Sequence, residues 1–179
     1  MKIEVSRYYL DKCTRFADEQ LETSKHLYAY RGESRIDKIR EDIIVGKLGE
    51  CAAYQYLDYL GFKVSRPDFK IYKGRRKSFD ADFSCENGLF HVKSQSEVSR
   101  KRYGASWLVQ RKDPMLQNPE ENEYFLFITV SGRECEILGL VPVADIVDNG
   151  LLEECRVPSY RHTKYALYFE NIEKKLLGD

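Results

Sequence analysis

The residues best placed to do chemistry lie in one stretch, Ser78-Phe79-Asp80-Ala81-Asp82-Phe83-Ser84-Cys85-Glu86-Asn87-Gly88-Leu89-Phe90-His91-Val92-Lys93-Ser94-Gln95. Polar and apolar positions alternate on both sides of Asn87-Gly88. That dipeptide is a strong hairpin signal, because a type I′ turn needs φ > 0 at both central residues. A two-residue turn there sets Glu86 opposite Leu89, Ser84 opposite His91, Asp82 opposite Lys93 and Asp80 opposite Gln95. Successive side chains of a strand point to opposite faces. Asp80, Asp82, His91, Lys93 and Gln95 therefore share one face, and Phe79, Ala81, Phe83, Cys85, Phe90 and Val92 form a core face. Two carboxylates, an imidazole and an ammonium on one face make either an ordinary solvated face or a hydrolytic site built from a metal and a lysine.

The segment upstream bears on that choice. Ile44, Leu48, Ala52, Ala53, Tyr56, Leu57 and Leu60 recur at helical spacing. Gly61 is expected to end this helix, and Phe62-Lys63-Val64-Ser65 to begin a strand. Glu50 lies within the helix, with Gly46 and Gly49 on its approach. A glycine inside a helix costs about 1 kcal/mol relative to alanine. Two of them beside Glu50 point to a close approach of the backbone to something else.

A helix bearing Gly-x-x-Gly-Glu, then Leu-x-x-x-Gly-Phe-x-Val, then a hairpin with Asp and a closing x-Lys-x-Gln resembles the PD-(D/E)XK nuclease superfamily. It is similar in particular to the archaeal Holliday-junction-resolvase and restriction-endonuclease-like branches. The resemblance runs from Gly46 to Gln95 and more loosely to Val141. It implies an α/β fold with a restriction-endonuclease-like core, a central mixed sheet flanked by helices. It also implies a metal-dependent DNA endonuclease that hydrolyses phosphodiester bonds. Carried over by position, Glu50, Asp80, Asp82 and His91 are the expected ligands of a divalent ion, Mg²⁺ or Mn²⁺. Lys93, His91 and Gln95 are the expected catalytic residues. His91 departs from the motif, which has a carboxylate there. It is a ligand, a general base, or the mark of an inactive site. As a ligand it would favour Mn²⁺ over Mg²⁺, and His91→Glu would then raise Mg²⁺-supported cleavage. The alternative is a catalytically silent protein of the same fold that binds nucleic acid or a protein partner.

The chemistry is coherent. Phosphate anions repel hydroxide, so a cation must screen them and acidify water, and a lysine can stabilise the charge that develops. There is no phosphate-binding loop, no His-Glu-x-x-His and no Cys-x-x-Cys. The chain of 179 residues has no net charge, yet from Lys63 to Lys112 it holds 13 Lys and Arg against 5 Asp and Glu. Lys73, Arg75, Arg76 and Lys77 precede the first hairpin strand, and Arg100, Lys101 and Arg102 follow the second. These clusters are the expected contacts to a phosphate backbone, with double-stranded DNA as the partner. Whether the polymer is DNA or RNA stays open, as does a homodimer. Five scattered cysteines suit reduced thiols in the cytoplasm. No run approaches a membrane span, so no membrane partner is expected.

The remaining elements follow from periodicity. Residues 6–30 read as one or two helices, with a break at 30–34 and a second helix running into Glu50. Trp107-Leu108-Val109 is either a strand or a short helix. Residues 124–130 and 135–141 pair across Ser131-Gly132. Pro142 opens a short helix ended by Asn149-Gly150, residues 164–169 form an edge strand, and Asn171 caps a last helical turn. The whole reads as a single nuclease-like domain, 1–179. It divides into an N-terminal helical extension (1–42), a catalytic core (43–141) and C-terminal helix and strand elements (142–179).

Overall fold

The protein is described by a computed structural model covering the backbone of residues 1–30, 35–72 and 80–178, and their side chains except for residues 24–30 and 177. The elements run β1 (Lys2–Glu4), α1 (Arg7–Tyr30), α2 (Ile36–Tyr59), β2 (Phe83–Cys85), β3 (Gly88–Ser96), α3 (Glu97–Tyr103), β4 (Ser106–Gln110), β5 (Glu123–Ser131), β6 (Glu134–Pro142), α4 (Val143–Asp148), β7 (Glu153–Glu154), β8 (Lys164–Tyr168) and α5 (Phe169–Ile172). Short 3₁₀ turns occupy Pro114–Leu116 and Pro158–Tyr160, and a π turn follows α5 at Glu173–Leu177. A mixed five-stranded sheet has the order β1-β6-β5-β3-β2, and a small antiparallel sheet has the order β4-β8-β7. Among the described strands only β3 and β5 run parallel, joined by a crossover through α3 and β4. The α/β class and the mixed central sheet are thus as the sequence implies.

The central strand explains the layering. β5 carries Phe125, Leu126, Phe127 and Ile128 in succession, all buried. An unbroken apolar run belongs to a strand covered on both faces. On one face Leu126 and Ile128 join Leu48, Ala52 and Leu57 of α2, with Cys13 of α1 and Phe83 and Phe90 of the hairpin. On the other, Phe125 and Phe127 join Trp107 and Val109 of β4, Ile146 of α4, Leu167 of β8 and Phe169 of α5. Burying each such side chain is worth about 1.5–3 kcal/mol. The helices α1 and α2 therefore hold one side of the sheet, and the small sheet with α4 and α5 holds the other.

Several local expectations change. The hairpin ladder pairs Phe83 with Phe90, Ser84 with Leu89 and Cys85 with Gly88, two residues from the expected register. Glu86 and Asn87 are the turn residues, and neither they nor Gly88 has a positive φ, so no type I′ turn forms. Residues 62–65 leave α2 without joining a ladder. Gly61 does turn the chain out of α2, at φ 87°. Residues 7–30 form one helix, and residues 107–109 lie in a strand. β8 is the middle strand of its sheet, because β4 and β7 flank it. Asn171 lies inside α5 and its amide reaches Glu153 rather than capping. β1 was not anticipated: three residues are too short for a periodic signal, but they pair Lys2 with Glu136 and Ile3 with Cys135 on β6. The expected boundary at 42/43 falls within α2.

Candidate active-site cleft

The site is best built from the point where β2 stops. Beyond Phe90, no strand among the described residues pairs with that edge of β3. The Asp82 N–H donates to Phe90 O at 2.9 Å, and the Val92 N–H donates to Asp82 Oδ2 at 2.7 Å. The Asp82 carboxylate thus takes the place of a ladder partner and is held at the mouth of the open edge. It lies level with His91 rather than opposite Lys93.

Glu50 arrives from α2. That helix sits unusually close to β3, because a Cβ added at Gly49 would lie 1.8 Å from Ser94 Oγ and 2.9 Å from Ser94 Cβ. Only glycine permits this approach. At Gly46 nothing lies within 4 Å of an added Cβ, so its backbone faces open space in the cleft. Lys47 Nζ donates to Glu50 Oε2 at 2.7 Å and to Asp68 O at 2.8 Å, while lying over the Phe16 and Phe69 rings. Burial pushes the Glu50 carboxyl up to about 7; Lys47 opposes that rise, and the charges of Asp82 and Asp68 add to it. Desolvation is the largest of these effects, ahead of the lysine.

Lys93 reaches the same cleft from the opposite face of β3. Its ammonium lies 5.4 Å from the centre of the Phe125 ring. Burial holds its pKa below the usual lysine value, while Asp82 and Asp113 act against that fall. Asp82 is therefore the charge that Glu50 and Lys93 have in common. Glu50 and Lys93 open onto a cleft of about 940 Å³ lined also by Trp107, Arg102, Arg156 and Tyr160, among others; Asp82 acts on both from outside that lining.

The other expected residues lie as follows. His91 is buried, and its Nε2 donates to Glu123 Oε1 at 2.7 Å; Glu123 Oε2 in turn accepts the Glu120 N–H at 3.1 Å. His91 does not line the cleft, and its ring nitrogen is engaged at the start of β5 instead. Gln95 is buried with both ends of its amide committed: Nε2 donates to Gly104 O, and Oε1 accepts from the Ser106 N–H. It fastens the turn between α3 and β4 instead of presenting a free group. Asp80 is exposed beyond the end of β2. Arg100 pairs with Glu136, Lys101 with Glu97, and Arg102 stacks on Tyr103 and lines the cleft. Lys73, Arg75, Arg76 and Lys77 lie outside the described residues.

Among the described residues, no three His, Cys, Asp or Glu side chains gather around one point that could hold a metal ion. No family model, curated protein or solved structure matches the chain. Mg²⁺ typically takes one or two carboxylates and completes its shell with water and substrate phosphate oxygens. Glu50 and Asp82 supply two carboxylates whose mutual repulsion a cation would relieve, so these residues fit such an ion.

Sequence reasoning missed Lys47 and Glu123. Lys47 stands three residues before Glu50, a helical neighbour distance that could have flagged the pair. Glu123 is 32 residues from His91 and meets it only through the parallel β3–β5 pairing, for which the sequence carries no local signal.

Proposed function

We propose that the protein is a metal-dependent DNA endonuclease with a restriction-endonuclease-like core, and that Glu50, Asp82 and Lys93 form its working site. The observation that carries this reading is the convergence of Glu50 and Lys93, from two elements and both faces of β3, on one cleft where Asp82 acts electrostatically on both. Perturbed titrating groups that share a cleft make a functional-site candidate, since reaction centres need such shifts. Glu50 and Asp82 would hold a divalent ion, which supplies charge screening and acidifies water when bound. Lys93, poorly solvated, would offer a proton or a positive charge to a phosphoryl oxygen. His91 has no part in this site, so the reading no longer favours Mn²⁺ over Mg²⁺: the donors are oxygens.

The engagement of His91 by Glu123 also favours a second reading, a silent protein of this fold that binds nucleic acid, because the position that carries the motif's second carboxylate serves packing instead. One experiment separates the two. Supercoiled plasmid and linear DNA are incubated with Mg²⁺, Mn²⁺ or EDTA, with Lys93→Ala and Glu50→Gln as controls. Cleavage that needs metal and falls at least about 100-fold in both variants supports the enzyme. Absence of metal-dependent cleavage with intact DNA binding leaves the silent binder.

A further inference from the structure

The cleft continues well beyond Glu50 and Lys93, and its far walls have a composition that the hydrolytic site does not use. Tyr103, at the end of α3, is 46% exposed, and Tyr160, on the 3₁₀ turn before β8, is 39% exposed. Both residues line the cleft and keep part of their surface open to solvent. Cations are set among the rings: the Arg102 guanidinium lies 5.1 Å from the Tyr103 ring centre, and Lys164 Nζ lies 4.5 Å from that of Tyr160. The Arg156 guanidinium, also at the cleft, lies 4.0 Å from the Tyr168 ring centre, and its carboxylate neighbour, Glu170, is 3.8 Å away. Leu108 adds an exposed apolar side chain to the same wall.

We propose that this wall binds an unpaired nucleic-acid strand, with Tyr103 and Tyr160 as stacking platforms for bases and Arg102 and Arg156 as phosphate contacts, so that the substrate enters the site single-stranded. The inference rests on the nuclease reading for the kind of polymer and adds the state in which the polymer is held. Partly exposed tyrosines interleaved with cations match a strand whose bases are unstacked, since each base presents a π face and each phosphate a charge. A duplex conceals its base faces and offers such rings nothing. Size agrees. At about 940 Å³ the cleft is of small-molecule pocket scale, roughly 300–1,000 Å³. That volume is enough for a few nucleotides of a single strand. Double-stranded DNA as the partner was expected from basic clusters, of which one lies outside the described residues and the other is largely paired within the fold.

The test is equilibrium binding by the full chain in EDTA to one fluorescein-labelled DNA sequence, offered as a single strand and as a blunt duplex. Anisotropy gives the affinity, and the emission of Trp107, the one tryptophan of the chain, reports entry into the cleft that it lines. The single strand should bind at least about tenfold more tightly than the duplex, and should change Trp107 emission. Tyr103→Ala and Tyr160→Ala should each weaken single-strand binding about fivefold or more, while Tyr103→Phe and Tyr160→Phe keep it, because stacking needs the ring and not the hydroxyl. Equal affinity for the two forms, or alanine variants that bind like the parent, overturns the proposal. Metal-dependent cutting of duplex without single-strand preference would sink this inference and leave the nuclease reading standing. Tight single-strand binding without cutting in any divalent metal would do the reverse.

Discussion

Glu50 is where structure and function pull against each other. Its carboxyl is pushed up to about 7 from the ordinary glutamate value of 4.5 by burial, so the folded protein holds a proton there that the unfolded chain gives up. Stability attributable to Glu50 is therefore greatest below about pH 4.5 and falls as pH rises towards 7, by up to roughly 3 kcal/mol. In metal-free buffer, Glu50→Gln should leave the melting temperature nearly unchanged at pH 5 and raise it by several degrees at pH 8; supplied with metal, the same variant should lose cleavage at least about 100-fold. Parallel thermal melts at the two pH values check this; a variant that is less stable at pH 8 would show that the Lys47 pair outweighs desolvation. His91 yields the opposite kind of prediction. Glutamate at that position would set a second carboxylate against buried Glu123, so His91→Glu should cost about 2–4 kcal/mol in urea unfolding and should not raise Mg²⁺-supported cleavage. His91→Gln, which retains a donor for Glu123, should be much milder.

The relation of α2 to β3 governs the site at the level of elements. Gly49→Ala places a methyl on Ser94 and should destabilise the fold by about 1–3 kcal/mol, while pushing Glu50 away from Lys93 and lowering activity. Ser94→Gly removes the obstructing atoms and leaves Val92 Cγ1, at 3.7 Å, as the nearest neighbour. The double variant should then recover stability relative to Gly49→Ala alone, which a double-mutant cycle measures directly. The same contact shows what the sequence could disclose. Two glycines beside a helical glutamate signalled a close approach, and Gly49 makes one, whereas Gly46 opens onto the cleft instead. The helix, the paired strands β5 and β6 and the short helix α4 were legible because their patterns are local. The hairpin faces were legible even though its register was displaced by two residues, since a shift of two returns each side chain to the same face. The partner of His91, the strand β1 and the second wall of the cleft depend on pairings over long sequence separations, and local pattern does not carry these. Gln95 illustrates the cost: a polar residue at the end of a motif looks chemical until its buried amide is found bonded to the backbone at both ends.

At the scale of the whole molecule, zero net charge conceals a strong polarity along the chain. Residues 63–112 hold 13 basic against 5 acidic side chains, whereas residues 113–179 hold 6 basic against 13 acidic ones. A polyanion is steered by the local field and not by the sum, so among the described elements it should approach with α3 foremost, where Arg100, Lys101 and Arg102 cluster. Within that basic part the side chains are not equivalent. Arg100 is held by Glu136 and Thr129, so its charge is largely answered inside the fold, whereas Arg102 lies on the cleft wall over Tyr103. Each phosphate neutralised by a side chain contributes about 0.7 to the slope of log affinity against log salt for a single strand, and about 0.9 for a duplex. Arg102→Gln should therefore reduce that slope by close to one contact and weaken binding for every sequence alike. Arg100→Gln should leave the slope nearly unchanged and lower stability slightly instead, because it leaves Glu136 without its partner. Titrations of labelled DNA across a series of salt concentrations, run beside thermal melts, separate the two outcomes. A slope that falls for Arg100→Gln and not for Arg102→Gln would place the phosphate path along α3 away from the cleft, and with it the route by which a strand reaches Glu50 and Lys93.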